Sequence, residues 1–391
     1  MTDARPLLDA ASLDLDALRH VGDPAADSAV AAYFSDVQAR HPGELFSKLV
    51  EHVKLPPEDQ AQAIRAFFAQ ASSRPAWADD AAVARGQEFF NRLAQHQFSA
   101  LYFASLPNSY AAAKGVQVLR LTGRLQTDTK RRLAETGQFL MDIAGPGAMR
   151  PGGIGIDRIL HVRLMHAAVR WMIAHDPSVT HLADCAPPQT EEAAPQWSDS
   201  WGIPANQEDL VGTWLTFTVV VYDVFDRSGV VYNDQDIADH MHLWRLVGHY
   251  LGVDPELVPV TRTVAAGLQQ RIFSRQQAPC EAGKALSVAL VELAHERMPF
   301  FMRPMLPSAF RHFLGDRVCD MLDMPAPNWT RPLLPIMARV DRTLTKGEDK
   351  HRVHARLSAF IGRHMMDGII KEMRKGSRPA FQIPTHLAGN R

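Results

Sequence analysis

Arg158-Ile-Leu-His161-Val-Arg163-Leu-Met-His166-Ala-Ala-Val-Arg170-Trp-Met-Ile173 is the stretch on which the reading of this chain turns. Residues three and four apart share a helix face, so Arg163, His166 and Arg170 form one stripe. Ile159, Val162, Leu164, Met165, Val169, Trp171 and Ile173 cover most of the remaining surface. The spacing predicts an apolar helix over about 156–175 with a histidine at its middle, bracketed by arginines. Working outward, periods of three to four recur through the rest of the chain and strand alternation is scarce, which predicts an all-α fold.

Further helices are expected at about 26–40, 57–72, 79–104 (ending before Pro107), 108–122 and 128–144. Beyond the histidine helix they follow at 206–227, 234–251, 262–275, 280–296, 307–323, 332–346 and 350–374. Gly145-Pro-Gly147 and Pro151-Gly-Gly153 interrupt the chain, and the polar, proline-bearing 176–204 reads as a long loop. Asn206 is placed to cap the helix that Glu208 and Asp209 open. The Leu215–Val221 run resembles a strand locally, but its length and flanks favour a helix. No linker marks a boundary. The expected organisation is an irregular lead-in over 1–25, one helical domain over 26–375 and an irregular tail over 376–391.

The 391 residues are 46% hydrophobic and 22% charged, an ordinary globular composition. Lys+Arg 42 against Asp+Glu 43 leaves a net charge of -1, with no basic excess for nucleic acid. Cys185, Cys280 and Cys319 are far apart and odd in number, suggesting neither a disulfide framework nor a structural zinc site. No stretch reaches 18 apolar residues, so no transmembrane helix is expected. The N-terminus lacks a basic region followed by an apolar core, and the chain as written reads as cytoplasmic. No phosphate-binding glycine loop or GxSxG elbow is present.

A neutral imidazole among apolar residues is the environment of a proximal haem ligand, and guanidinium groups one turn to either side suit haem propionates. The same pattern also describes a core histidine satisfied by a carbonyl beside two edge arginines. The helix at 128–144 sets Arg132, Glu135, Thr136, Phe139 and Ile143 on one face. Its polar triplet is either a proton-handling group across a pocket or a surface charge pair. His242 and His249 lie two turns apart with no carboxylate at metal-ligand spacing, which favours packing between helices over a zinc or di-iron site. Trp197, Trp201, Trp214 and Trp244 read as core or pocket wall.

Six segments occur in order: Leu121-Thr-Gly-Arg-Leu125, Arg132-Leu-Ala-Glu-Thr136, Gly152-Gly-Ile-Gly155, Val162-Arg-Leu-Met-His166-Ala-Ala-Val-Arg170, Trp201-Gly-Ile-Pro-Ala-Asn-Gln-Glu-Asp-Leu210 and His242-Leu-Trp-Arg-Leu-Val-Gly-His249-Tyr-Leu-Gly252. As a set, over about residues 85–300, they resemble the latex clearing protein (rubber oxygenase) family and the related ER-bound oxygenases. The resemblance implies a globin-like helical core holding one non-covalent haem b (iron). Its implied activity is dioxygen-dependent oxidation or cleavage of a C=C bond in a lipophilic, isoprenoid-like substrate or polymer. It makes His166 the iron ligand, places Arg163 and Arg170 beside the cofactor, and sets Arg132 and Thr136 on the distal side. His242 and His249 match a histidine pair read as structural. Two departures stand out. Glu135 occupies the place of the family's distal lysine, and Ala111–Leu121 carries no acidic residue where the family has a glutamate. Glu135 is therefore the expected source of the missing carboxylate. A haem peroxidase or peroxygenase, a non-catalytic gas-binding globin-like protein and a cofactor-free helical scaffold are the competing readings.

Overall fold

The computed structural model describes residues 8–38, 42–121, 129–175 and 197–336. Seventeen α-helices are found there: α1 (Leu15–Leu18), α2 (Pro24–Asp36), α3 (Pro42–His52), α4 (Gln62–Ala71), α5 (Asp80–Arg92), α6 (Ala94–Ala100), α7 (Leu106–Ala111), α8 (Gln117–Leu121), α9 (Thr129–Ala144) and α10 (Ile154–His175), then α11 (Gln207–Phe217), α12 (Val219–Ser228), α13 (Asp234–Leu251), α14 (Arg262–Gln276), α15 (Glu281–Arg297), α16 (Leu306–Leu314) and α17 (Asp316–Met321). The only β-type pairing among the described residues is a single bridge between Ala112 and Gln277. The all-α class stands. The expected helices over 332–346 and 350–374, the tail, and residues 176–196 of the expected loop lie largely or wholly outside the described residues.

α10 occupies the centre, packed against α2, α9 and α13. Ile159, Leu164, Ala168 and Met172 along it have no accessible surface, as its nearly continuous apolar circumference requires. The most extensive helix pair is α5 with α13. Gly86 permits that approach, because a Cβ there would meet the Asp239 carbonyl oxygen at 2.5 Å.

The helix boundaries differ from the sequence expectation where side chains compete with the backbone or where glycine intervenes. The expected 206–227 helix breaks at Thr218 (φ −117°, ψ −84°), whose hydroxyl donates to the Trp214 carbonyl at 3.1 Å. Gly315, at φ +95°, divides the expected 307–323 helix. The 79–104 segment breaks at Leu93 but does not stop before Pro107. It passes through a π-helical stretch, Leu101–Ser105, into α7. Asn108 Nδ2 and Ser109 Oγ donate to the Ala104 and Ser105 carbonyls there, helping to satisfy acceptors in a run disturbed by a residue without an N–H. α3 falls in a stretch where no helix is expected. Leu45, Phe46, Leu49 and Val50 nevertheless give it a buried face.

Among the described residues of the segment expected as an irregular lead-in, Leu15, Arg19 and Asp23 are buried. Arg19 and Asp23 are 2% and 4% exposed. Asp23 caps α2, with Pro24 in the first turn.

Beneath α13 lies a polar knot. His240 has no accessible surface. Its Nε2 accepts from Trp244 Nε1–H at 3.1 Å and faces Gln97 Nε2 at 3.3 Å. An indole nitrogen only donates, so the His240 proton sits on Nδ1, which donates to Tyr222 Oη at 2.8 Å. Burial pushes this imidazole down to about 3. The folded state therefore binds one proton fewer than the unfolded chain between about pH 6.5 and 3, and stability falls as pH is lowered through that window. We expect urea titrations to give a loss approaching 1.4 kcal/mol per pH unit from this group. His240→Gln should be less stable at pH 7 and show a shallower dependence.

Candidate functional site

The site is built on α10 and on what surrounds its polar stripe. α9 and α10 are joined by the Gly145–Gly153 turn and touch closely, since a Cβ on Gly155 would lie 3.2 Å from Ile143 Cα. α9 runs back from that contact past Thr136, about 10 Å away at 1.5 Å per residue. α10 runs on past Arg163 to His166, about 16 Å along its axis. Glu135 and Thr136 are half-buried on α9. Arg132 lies in the same helix, and its side chain falls outside the described residues.

His166 combines two properties. Nδ1 is sealed in the interior with no hydrogen-bond partner. The residue as a whole retains partial exposure, so the accessible surface belongs to the rest of the side chain. Burial, reinforced by the charge of Arg170 and opposed by that of Asp23, pushes the imidazole down to about 4. A neutral ring with an available face is the donor that a haem iron takes. The expected carbonyl partner of an ordinary core histidine is absent. The side chain thus fits the implied group.

The two arginines depart from expectation. Arg163 donates from Nε and Nη2 to both carboxylate oxygens of Asp23, at 2.5 and 2.8 Å. Its guanidinium also lies 5.5 Å from the Phe67 ring centre. Arg170 donates from Nε to Asp27 at 2.7 Å and from Nη1 to the Ala205 carbonyl at 3.0 Å. Ala205 adopts φ +48° immediately before the α11 cap. Free guanidinium anchors for carboxylates of a cofactor are therefore not what the fold presents. The arginines fasten α2 to α10, and Arg170 alone keeps a buried, unpartnered nitrogen, Nη2. Asp23 and Asp27 lie 140 and 143 residues away from their partners, and no local pattern announces them.

His242 and His249 serve packing. His242 Nε2 accepts the Asp79 backbone N–H at 3.0 Å. The edges of both rings meet Trp77, at centroid distances of 5.6 and 6.2 Å. Arg245 covers that indole at 4.0 Å. Burial lowers both imidazoles. Trp214 and Trp244 are core residues, the first donating to the carbonyl of the second at 2.8 Å.

A second charged cluster, unanticipated from sequence, adjoins the site. Arg19 donates to Glu208 at 3.1 Å, Asp209 at 2.9 Å and the Trp201 carbonyl at 2.8 Å. Glu208, wholly buried, also takes Arg275 Nε at 3.2 Å and Gln276 Nε2 at 2.7 Å. Asn206 caps α11 as expected, accepting from the Asp209 N–H at 3.0 Å.

An all-α protein whose central helix carries a partly exposed histidine with a sealed, unpartnered Nδ1 is the class these features define. The chain belongs to the family described as the ER-bound oxygenase mpaB/B'/rubber oxygenase catalytic domain, which matches residues 92–345. It is 26% identical to the rubber oxygenase of Streptomyces sp. (strain K30) over 316 residues, spanning 78% of this chain and 71% of that protein. Its fold is similar to that of latex clearing protein LCP solved in the closed state, with a TM-score of 0.72 and 24% identity over 95% of each chain.

Gly252 ends α13 at φ +80°, and a Cβ there would lie 2.4 Å from Asp23 Oδ2 and 2.6 Å from Arg163 Nε. Gly252→Ala should cost about 2–4 kcal/mol, combining backbone strain with a displaced buried ion pair. Guanidinium denaturation of the two proteins measures it.

Proposed function

We propose that this protein is a haem b-dependent oxygenase that uses dioxygen to oxidise or cleave a C=C bond of a lipophilic, isoprenoid-like substrate, with His166 as the residue that would hold the iron. The observation that carries the reading is the His166 side chain: neutral, sealed at Nδ1, and still open on the rest of its surface. Membership of the oxygenase family supports the reaction class. The name of the Streptomyces relative supports an unsaturated hydrocarbon substrate.

When bound, haem supplies the activation of dioxygen. The chain's own residues do the rest. His166 offers an unprotonated nitrogen across the whole working pH range, because its ring is held well below neutrality. With Nδ1 sealed, the other ring nitrogen, Nε2, is the one that would hold the iron. Arg170 Nη2, buried without a partner, is the residual anchor for a carboxylate of the cofactor. The apolar residues around the stripe, Ile159, Leu164 and Ala168 among them, exclude water from the interior beneath the ring.

Glu135 takes the role of proton carrier on α9, with Thr136 as the adjacent hydroxyl and Arg132 as the cation. This assignment answers the missing acidic residue over Ala111–Leu121. A half-buried carboxylate with a hydroxyl next to it in the chain is a suitable type of group to take and return a proton.

Two outcomes test the proposal. Hemin added to the full chain should give an intense Soret band that responds to dithionite and carbon monoxide. His166→Ala should lose or shift that band; a wild type that takes up no hemin sinks the reading. Glu135→Gln should bind hemin normally and turn over an unsaturated isoprenoid under dioxygen roughly 10²–10⁴-fold more slowly, the usual contribution of a general acid–base group. Unchanged turnover removes Glu135 from the mechanism. Turnover driven by peroxide in place of dioxygen would identify a peroxygenase instead.

A further inference from the structure

Behind His166 lies a charge arrangement to which the reaction assigns no role. We propose that Asp23 is the counter-charge that keeps the Arg163 cation from raising the reduction potential of a haem held by His166, with Asp23 a positioning residue supplied by the N-terminal segment. The inference rests on the haem reading above, and its test separates the two.

The pair is a built feature. Asp23 is nearly fully buried, and both of its oxygens are engaged by Arg163, at 2.5 and 2.8 Å. One side is closed by the backbone of Gly252, where even a methyl group would collide with both partners. Gln207 then bridges the flanking backbone, donating from Nε2 to the Gly22 and Gly252 carbonyls at 2.9 Å each. Its own carbonyl accepts the Asp254 N–H at 2.9 Å. Residues on both sides of the pair are thus tied through one buried amide.

The pair also bears on the imidazole. Arg163 lies one turn before His166 on the same face. Asp23 contacts the Arg163 guanidinium at 2.5 Å, so both charges stand beside the turn of α10 that leads to His166. Metal-bound histidines ordinarily donate their second ring nitrogen to a carboxylate or carbonyl, and that bond tunes the ligand. His166 Nδ1 has no such partner. Tuning by direct hydrogen bond is therefore missing, and charges acting through space remain. In a poorly polarisable interior each unit charge is felt several times more strongly than in water.

The two members should act with opposite sign. Asp23→Asn removes a negative charge and leaves the Arg163 cation uncompensated. That favours the ferrous state, so the midpoint potential rises. Arg163→Gln leaves the Asp23 carboxylate uncompensated, and the potential falls. The double variant returns close to wild type. Asp23→Glu, which keeps the charge, stays close to wild type as well.

The experiment is spectroelectrochemical titration of the hemin-loaded full chain and these four variants, with the Soret position verifying the same axial ligation in each. Opposite shifts that cancel in the double variant are the expected result. Shifts of the same sign in both single variants report a common packing defect and overturn the proposal, as do potentials unchanged from wild type. Should Asp23→Asn fail to load hemin, Arg163→Gln decides alone: a potential at or above wild type overturns the proposal. Failure of wild type to load hemin, or an unaltered spectrum in His166→Ala, refutes the haem reading itself, and the inference falls with it.

Discussion

Two arginines, Arg170 buried and Arg163 largely so, on the same stripe as a neutral histidine impose the constraint around which this molecule is arranged. A guanidinium withdrawn from water without a counter-ion costs several kcal/mol, and α10 carries two of them, at Arg163 and Arg170. The fold meets this with the first turn of α2, where Asp23 is the cap and Asp27 lies one turn on. Carboxylates are favoured at that position by the exposed N–H groups of the helix end. The same two residues therefore start a helix and neutralise the centre of another. α2 packs on α10 in a register that satisfies both pairs, and Gly22 gives the backbone room to do so: a Cβ there would lie 2.8 Å from Asp27 Oδ2 and 3.3 Å from Arg170 Nε.

From that junction the neighbouring elements follow. Arg19 reaches the N-terminal end of α11 and balances Glu208 and Asp209. Arg275 of α14 adds the second cation on Glu208. Ile203 and Gln207 donate backbone N–H groups to the Arg19 and Val21 carbonyls, each at 2.9 Å. Gly202 lets the chain pass within reach of Arg19, whose carbonyl oxygen would lie 2.4 Å from an added methyl. The strained Ala205 then turns its carbonyl toward Arg170. The wall behind His166 is thus assembled from α1, α2, α10, α11, α13 and α14, held by directional polar contacts. Apolar packing dominates elsewhere.

Much of this architecture was legible in the residues, and the remainder was hidden for a physical reason. α13 falls at the predicted 234–251, α10 begins two residues before its predicted start, and the Asn206 cap forms as read. Each depends on contacts within a few residues, which periodicity and capping rules capture. His166 likewise stood out because an imidazole in an apolar helix is a local anomaly. The partners of Arg163 and Arg170 were invisible because an ion pair across 140 residues leaves no periodic trace. The His240 knot escaped notice because its partners come from three helices, and only their convergence makes the residue unusual. α3 did carry a signal, the apolar spacing at Leu45, Phe46, Leu49, Val50 and Val53, but its Pro42-Gly43 opening reads as a turn. Thr218 shows the opposite case: the propensity for one long helix was real, and a single hydroxyl outcompeted it.

The threading of Arg19–Asp27 through later elements has a consequence for biogenesis. On the ribosome Asp23 emerges roughly 10–30 s before Arg163 at ordinary elongation rates. Glu208 is 189 residues behind Arg19, and Gly252 is later still. Throughout that interval α2 has its apolar face of Ala26, Ala29, Val30, Tyr33 and Phe34 and nothing of α10 to bury it against. The nascent chain must carry that face without its α10 partner until residues Ile154–His175 have been made. The wall behind His166 then closes late, in one step that joins the beginning of the chain to its middle. A cofactor that needs this wall intact can be held at His166 only after α14 has been made, about a hundred residues after the histidine itself.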